Sequence, residues 1–289
     1  MHEGVEAEIG LIGGTGLYDM EGIEEIRDVE VDTPYGPPSS RIRTGVLYGR
    51  KVAFLARHGA GHRLLPSEIP YRANIYALKL LGVSKILAAS AVGSLKEELP
   101  PRMLVVPDQF LDRTRHRADT FFGDGLVVHV SMAEPFAEGV RKALLKAARD
   151  RGYDVTDGGT QICMEGPQFS TRAESLIWKG LGCSVIGMTG LTEARLAREA
   201  EIAYATLNLV TDYDAWRPEE AGVDAAEIME VLHDNAHVGK DVLRRAVALV
   251  PKEPLPENGV LKTAMITPLE HVPEATKTRL AAILAPYVS

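Results

Sequence analysis

Residues 184–216 read SVIGMTGLTEARLAREAEIAYATLNLVTDYDAW, and the order of patterns within them decides the fold. Residues 184–189 read as a strand and 191–201 as a helix. Residues 203–212 form a continuous apolar strand whose carboxyl end carries two carboxylates, Asp212 and Asp214. The same alternation extends outward, with a strand at 160–165, a helix at 171–181 and a helix at 225–249. It implies an α/β protein with a mixed central sheet flanked by helices. Upstream, 8–14 is an apolar run ending in glycines, while 41–48 and 51–57 alternate around Gly49-Arg50 as a hairpin. A helix over 70–82 puts Ile75, Leu78 and Leu81 on one face, with Pro70 at its start and Gly82 at its stop. Residues 85–93 and 103–110 read as strands. The clearest helix is 135–152, where Val140, Ala143, Leu144, Ala147 and Ala148 repeat at helical spacing. No linker or repeat divides the chain, so residues 1–289 read as one domain. A C-terminal helical appendage begins at about 251, after the Pro-bearing stretch 251–256, with a last helix around 274–284.

Composition narrows the function classes. An apolar content of 45% with 25% charged residues excludes a fibrous or largely disordered chain. A net charge of −8 without any basic stripe argues against a general nucleic-acid binder. No apolar run approaches the roughly 18 residues of a membrane span, and the first residues are acidic where a secretory signal is basic. Cys163 and Cys183 lack metal or redox spacing, so they read as small apolar core residues of a protein in a reducing, cytoplasmic compartment.

In a sheet of this kind ligands bind beyond the carboxyl ends of the strands. The segments falling there are 13–16, 57–62, 89–93, 165–171, 188–192 and 211–216. Gly10-Leu-Ile-Gly-Gly-Thr-Gly16 breaks the dinucleotide fingerprint at Asp19 and lacks the lysine of a P-loop; what survives is an amide-rich loop beside the Thr15 hydroxyl, fit for a single phosphate or for a plain tight turn. Arg57-His58 offers a guanidinium fork and an imidazole, against the bland reading of solvated side chains. His62 follows and reads equally well as structural. His233 and His237, four apart on a helix, mimic a zinc pair but lack the glutamate base and a third ligand, leaving a solvated helix face as the default. Thr171 with Glu174 forms a capping box, whereas Phe169 at the loop apex suits stacking on a planar base or sugar.

Taken together, Gly13-Gly-Thr-Gly16, Arg57-His58, Ala91-Val-Gly-Ser94, Glu165-Gly-Pro-Gln-Phe169, Gly187-Met-Thr189 and Thr211-Asp-Tyr-Asp-Ala-Trp216 closely resemble the purine nucleoside phosphorylase family, and within it the 5′-methylthioadenosine phosphorylases. The resemblance runs from about Ile9 to about Leu249. It implies phosphorolysis of an N-glycosidic bond, orthophosphate as co-substrate, no metal or organic cofactor, and a homotrimer or a hexamer of paired trimers. It puts Thr15, Arg57, His58, Ser90, Ala91 and Thr189 around phosphate, Phe169 and Met188 at the sugar, and Ser170, Asp212 and Asp214 at the purine. His129 matches a residue lent to the neighbouring subunit's sugar pocket. Asp212 is the expected donor to the leaving purine, which requires burial to raise its pKa. The Asp pair accepts from a 6-amino group; facing O6 it would leave an unmade bond worth roughly 1–3 kcal/mol. The alternative is therefore a 6-oxopurine or broad-specificity phosphorylase. From other classes, a nicotinamide enzyme has its fingerprint broken and a zinc hydrolase on His233 and His237 lacks a third ligand, whereas a nonenzymatic nucleoside sensor would have lost the phosphate ligands Thr15, Arg57 and His58, which are all present. Gln168 stands where many relatives carry Arg, and Ser90 where Thr is common.

Overall fold

Among the described residues, eleven strands assemble into one mixed sheet, most of them apolar runs. The computed structural model describes residues 6–14, 20–217 and 225–288, without the side chains of 225–230 and 232–234. The strands are β1 (Ile9–Gly13), β2 (Glu24–Val29), β3 (Ile42–Leu47), β4 (Arg50–Ala56), β5 (Lys85–Ser94), β6 (Leu104–Val106), β7 (Gln109–Arg113), β8 (Val155–Asp157), β9 (Thr160–Met164), β10 (Val185–Gly187) and β11 (Ala203–Tyr213). The helices are α1 (Tyr71–Leu80), α2 (Glu138–Asp150), α3 (Arg172–Gly180), α4 (Gly190–Glu199), α5 (Ala225–Leu249), α6 (Glu274–Arg279) and α7 (Ala281–Leu284).

The sheet is organised around β5. Its first half lies between β1 and β11, both parallel to it; its second half keeps β11 on one side and takes the antiparallel β10 on the other. Because β4 is parallel to β1, the strands β4, β1, β5 and β11 all deliver their carboxyl ends to one edge of the sheet. Alternation along β11 assigns its two faces. Tyr204 reaches Glu193 of α4, whereas Leu209 packs against Gly239 of α5. Helices α1, α4 and α7 thus form one layer and α2 with α5 the other. Ile9, Leu11, Ile86, Leu87, Ala205 and Leu207 are fully enclosed between them, and a large side chain buried this way contributes about 1.5–3 kcal/mol.

Several expectations are refined. The strand expected over 103–110 is two strands, β6 and β7, interrupted where Pro107 can donate no ladder hydrogen bond. The last helix breaks at Leu280 into α6 and α7. Strands β2 and β8 escaped the sequence reading because their side chains are half-exposed or exposed throughout, so no apolar period marks them. The segment after 250 packs into the main core through Leu261, Val272, Leu280, Ile283 and Leu284. Arg50 ties it down further, donating to the carbonyls of Val247 and Val250 at 2.8 and 2.6 Å where α5 ends. Both cysteines are free and buried, as expected. No helix among the described residues is long and apolar enough to cross a membrane.

At the end of α4, Glu199 is buried and accepts from the Thr120 hydroxyl at 2.8 Å and the Phe121 N–H at 2.7 Å. Burial pushes its pKa from 4.5 up to about 7, against those two hydrogen bonds. The folded chain therefore holds this proton more tightly than the unfolded chain. The associated stability is fully present below about pH 4.5 and is lost as pH rises through about 7, a change of about 3 kcal/mol. A protonated Glu199 donates to Thr120 and accepts from Phe121, and a glutamine makes the same pair of bonds. Glu199→Gln is expected to abolish that part of the pH dependence of urea unfolding between pH 5 and 8, leaving the variant more stable than the parent at pH 8. An unchanged slope would refute the assignment.

Candidate active site

The shared edge of β4, β1, β5 and β11 gathers most of the expected side chains. Arg57 follows β4 directly; its N–H donates to the Gly13 carbonyl at the end of β1 at 3.0 Å, and its Nη1 donates to the Ala89 carbonyl on β5 at 2.6 Å. The guanidinium is 3% exposed. It is clamped bidentately by Glu193 of α4, Nε to Oε1 at 2.6 Å and Nη2 to Oε2 at 3.0 Å, and the Tyr204 hydroxyl adds a bond to Oε2 at 2.9 Å. Its charge is thus matched within the protein, so that an anion beside it would meet only the N–H groups these three bonds leave over. Removing one partner of so buried a pair costs about 3–5 kcal/mol.

His58 departs from expectation. Its Nδ1 lies 2.8 Å from the Leu64 carbonyl, and a carbonyl only accepts, so Nδ1 carries the proton. Burial holds the imidazole pKa down at about 4, the Leu64 carbonyl opposing this and the charge of Arg57 reinforcing it. The ring is neutral at pH 7, and its remaining nitrogen, Nε2, is an acceptor rather than the expected donor. His62 stacks on it with ring centroids 4.2 Å apart, which supports the structural reading of His62.

Beside Arg57, Ser90 is buried and its hydroxyl meets no hydrogen-bond partner, while Ala91 next to it is exposed. Thr189 is the N-cap of α4 but makes no side-chain cap bond. No side chain thus caps that helix N-terminus, whose dipole favours an anion, although the Leu191 N–H in its first turn is engaged by the Cys163 thiol. Thr15 lies outside the described residues.

Further along the same two strands stand the carboxylates. A register shift between Val210 and Asp212 inserts Thr211 as an extra residue in β11. The Thr211 hydroxyl donates to Asp212 Oδ1 at 2.6 Å. Gly93 of β5 leaves the necessary room: a Cβ there would stand 3.2 Å from Asp212 Oδ2 and 3.4 Å from Asp214 Cβ. Asp212 is half-buried, whereas Asp214 is 4% exposed. Burial raises the pKa of Asp214, partly offset by the hydroxyls of Ser175 and Ser170. The burial expected of Asp212 thus falls more heavily on its neighbour. Trp216 locks the turn, its indole N–H donating to the Ser94 carbonyl at 2.8 Å.

The expected sugar-side residues lie on two loops joined by a residue the sequence reading passed over. Arg117, with a side chain 1% exposed, donates to the carbonyl of Met188 at 2.5 Å and of Glu165 at 2.7 Å. It also bonds the hydroxyls of Tyr71 and Thr192 at 3.1 and 3.3 Å. Glu165 is buried enough for its pKa to rise, but the Ser67 hydroxyl, the Arg115 N–H and Arg117 outweigh this and hold it at about 2. Phe169, on the Glu165 loop, keeps 45% of its surface exposed, and the capping box of Thr171 and Glu174 starts α3 behind it. Ser170 is buried beside Met164. His129 is exposed, and its backbone pairs with Ala264, away from these contacts. Glu193 and Arg117 escaped notice because each acts through a partner distant in sequence; a charged residue within an apolar helix face, as at Glu193, was the one available signal. The side chain of His233 lies outside the described residues and His237 is exposed; no three metal-ligating side chains converge among the described residues.

The chain belongs to the phosphorylase superfamily, whose sequence profile matches residues 8–248. It is 51% identical over 284 residues to S-methyl-5′-thioadenosine phosphorylase of Koribacter versatilis, covering 98% of this chain and 97% of that one. The corresponding protein of Geobacter sulfurreducens is 49% identical, with 98% and 100% covered. Among solved structures, a methylthioadenosine phosphorylase from an antarctic soil metagenomic library superimposes with a TM-score of 0.93 at 50% identity, covering 97% of this chain and 99% of that one. A mutant adenosine/methylthioadenosine phosphorylase from Schistosoma mansoni in complex with methylthioadenosine gives 0.80 at 34% identity, with 97% and 98% covered.

The state of His58 is directly measurable. Imidazole nitrogen NMR is expected to show a neutral ring with its proton on Nδ1, unchanged from pH 8 down to about pH 5. A midpoint near the ordinary value of 6.5 would contradict the buried tautomer.

Proposed function

We propose that this chain catalyses phosphorolysis of 5′-methylthioadenosine to adenine and 5-methylthioribose 1-phosphate. One observation carries the reading: the unpartnered Ser90 hydroxyl and the Asp212–Asp214 pair sit on neighbouring parallel strands, three register steps apart. Three steps of a strand span about 10 Å, a distance that phosphate, ribose and purine together can bridge. The likeness to methylthioadenosine phosphorylases over nearly the whole chain supports the choice of nucleoside over a 6-oxopurine substrate.

On this reading orthophosphate is the co-substrate and no cofactor is required. The anion rests at the N-terminus of α4, with Ser90, Ala91 and Thr189 around it; Thr15, outside the described residues, is the further phosphate ligand that the sequence resemblance implies. Arg57, clamped by Glu193, supplies its remaining N–H groups from the floor. Neutral His58 accepts a hydrogen bond through Nε2 from a protonated phosphate oxygen. Breaking the C1′–N9 bond leaves positive charge on the sugar and negative charge on the base. The phosphate oxygen approaches C1′ opposite the departing purine and stabilises the cation as it forms. Phe169 and Met188 hold the sugar. Asp212, protonated in the complex where the bound nucleoside covers it, donates to N7, while Asp214 accepts from the 6-amino group beside Ser170.

His129, exposed in one subunit, completes the sugar pocket of the next in a homotrimer, with a hexamer as the further possibility. The two free cysteines agree with a reducing cytoplasmic setting. The products, a free purine and a thiomethyl pentose phosphate, suit purine and methionine salvage.

Incubation with methylthioadenosine, with and without orthophosphate, tests the reaction. Adenine and 5-methylthioribose 1-phosphate are expected only when phosphate is present; adenine released in its absence would make the protein a hydrolase. Specificity is tested separately by Asp212→Asn, whose amide donates to O6. The ratio of kcat/KM for methylthioadenosine over inosine is expected to fall about tenfold or more, and an unchanged ratio would remove Asp212 from purine recognition.

A further inference from the structure

Gln161, on β9, is completely buried, yet its Nε2 meets no hydrogen-bond partner. Its orientation is set by Asn208 of β11, also fully buried, whose Nδ2 donates to Gln161 Oε1 at 2.8 Å. Asn208 Oδ1 in turn lies 3.5 Å from the Thr206 hydroxyl. With its oxygen taken, Gln161 turns two N–H donors the other way, and the surrounding glycines show where. A Cβ on Gly187 would stand 2.9 Å from Nε2, and one on Gly190, the first residue of α4, 3.5 Å from it. The amide thus lies beneath the turn that leads from β10 into the N-terminus of α4. Any side chain at 187 would collide with it.

The second buried orphan in this region is the Ser90 hydroxyl. Ser90 pairs in register with Asn208, so the two side chains share one face of the sheet. A fully buried donor in a native protein is satisfied by something. Here the unsatisfied groups are an amide and a hydroxyl, beside a helix N-terminus that no side chain caps. These donors and the helix dipole favour an oxyanion, and the charge of Arg57 is already matched by Glu193.

We propose that Gln161 is a further phosphate-binding residue, held in place by Asn208 and completing the floor beneath the α4 N-terminus with a neutral donor. The inference rests on the phosphorolysis reading, since it takes the anion to be orthophosphate. It adds a residue that none of the sequence motifs contains.

The test is Gln161→Met, which keeps side-chain length and removes the amide. Inorganic phosphate binding is measured calorimetrically on the full chain without nucleoside, and KM for phosphate and for methylthioadenosine in the assay. The dissociation constant and KM for phosphate are expected to rise about tenfold, with KM for methylthioadenosine within about twofold. Asn208→Leu, which leaves the amide present but unoriented, is expected to shift the same two phosphate constants by a smaller factor. If the methionine variant does not fold, Gln161→Asn withdraws the amide by one methylene and is expected to weaken phosphate in the same selective way. Unchanged phosphate binding in a folded variant, or equal losses for phosphate and nucleoside, would overturn the role of Gln161 while leaving phosphorolysis standing. A parent chain that binds no phosphate and releases adenine without it would instead bring down the phosphorolysis reading, and this proposal with it.

Discussion

The parallel pairing of β5 with β11 governs the arrangement of everything else. Their ladder runs from Lys85 with Ala203 to Ser94 with Tyr213, longer than any other in the sheet. It fixes the distance from Ser90 to the carboxylates, and the bulge at Thr211 adjusts only the last step. Because α4 packs on the face of this ladder that carries Tyr204, Thr206 and Asn208, the polar residues of three strands and the amino end of one helix share a single layer. A slip of one residue would turn Ser90 and Asn208 to the opposite, α5-facing side. Position along the strand therefore becomes chemical position, with the helix terminus at one end and the aspartates at the other.

Most of the secondary structure was legible because it rests on periodicity. The hairpin of β3 and β4, the helices α1 and α2 and the alternation from β9 to α5 all show in their apolar spacing. The strands that were missed, β2 and β8, are those whose stability comes from edge pairing rather than burial. The exposed aromatic at Phe169 and the capping box behind it were also legible, since both are local. What could not be read is the set of buried polar contacts. Arg57 meets Glu193 across 136 positions of sequence and Asn208 meets Gln161 across 47. Neither partner carries a mark of the other. Sequence suggests which polar residues reach the rim; only the packed structure shows which of them are already spoken for.

That distinction changes the electrostatic picture of the site. Arg57 taken alone promises a full positive charge, but the Glu193 clamp leaves the pair near neutral overall. Burial then makes Glu193 necessary, because an unpaired guanidinium at this depth would be strongly destabilising. Arg117 plays the same part for the two sugar-side loops: it is enclosed, ringed by carbonyls and hydroxyls, and paired with Glu165. Both arginines act first as architecture, tying together the ends of strands and loops.

A site whose charges are internally matched must hold an anion with dipoles, and this has a consequence for the reaction proposed. Full positive charges around phosphate would lower the electron density on the attacking oxygen and hold the product ester as firmly as the substrate, which strengthens binding without favouring the step between them. Helix N–H groups, hydroxyls and an amide instead offer directional hydrogen bonds in fixed positions. They leave the negative charge available to the cationic sugar as it develops, and the stabilisation grows with that charge rather than preceding it. The acidic balance of the whole chain, −8, is compatible with such a site, because preorganised dipoles a few ångströms away act more strongly on a bound anion than screened carboxylates on a distant surface.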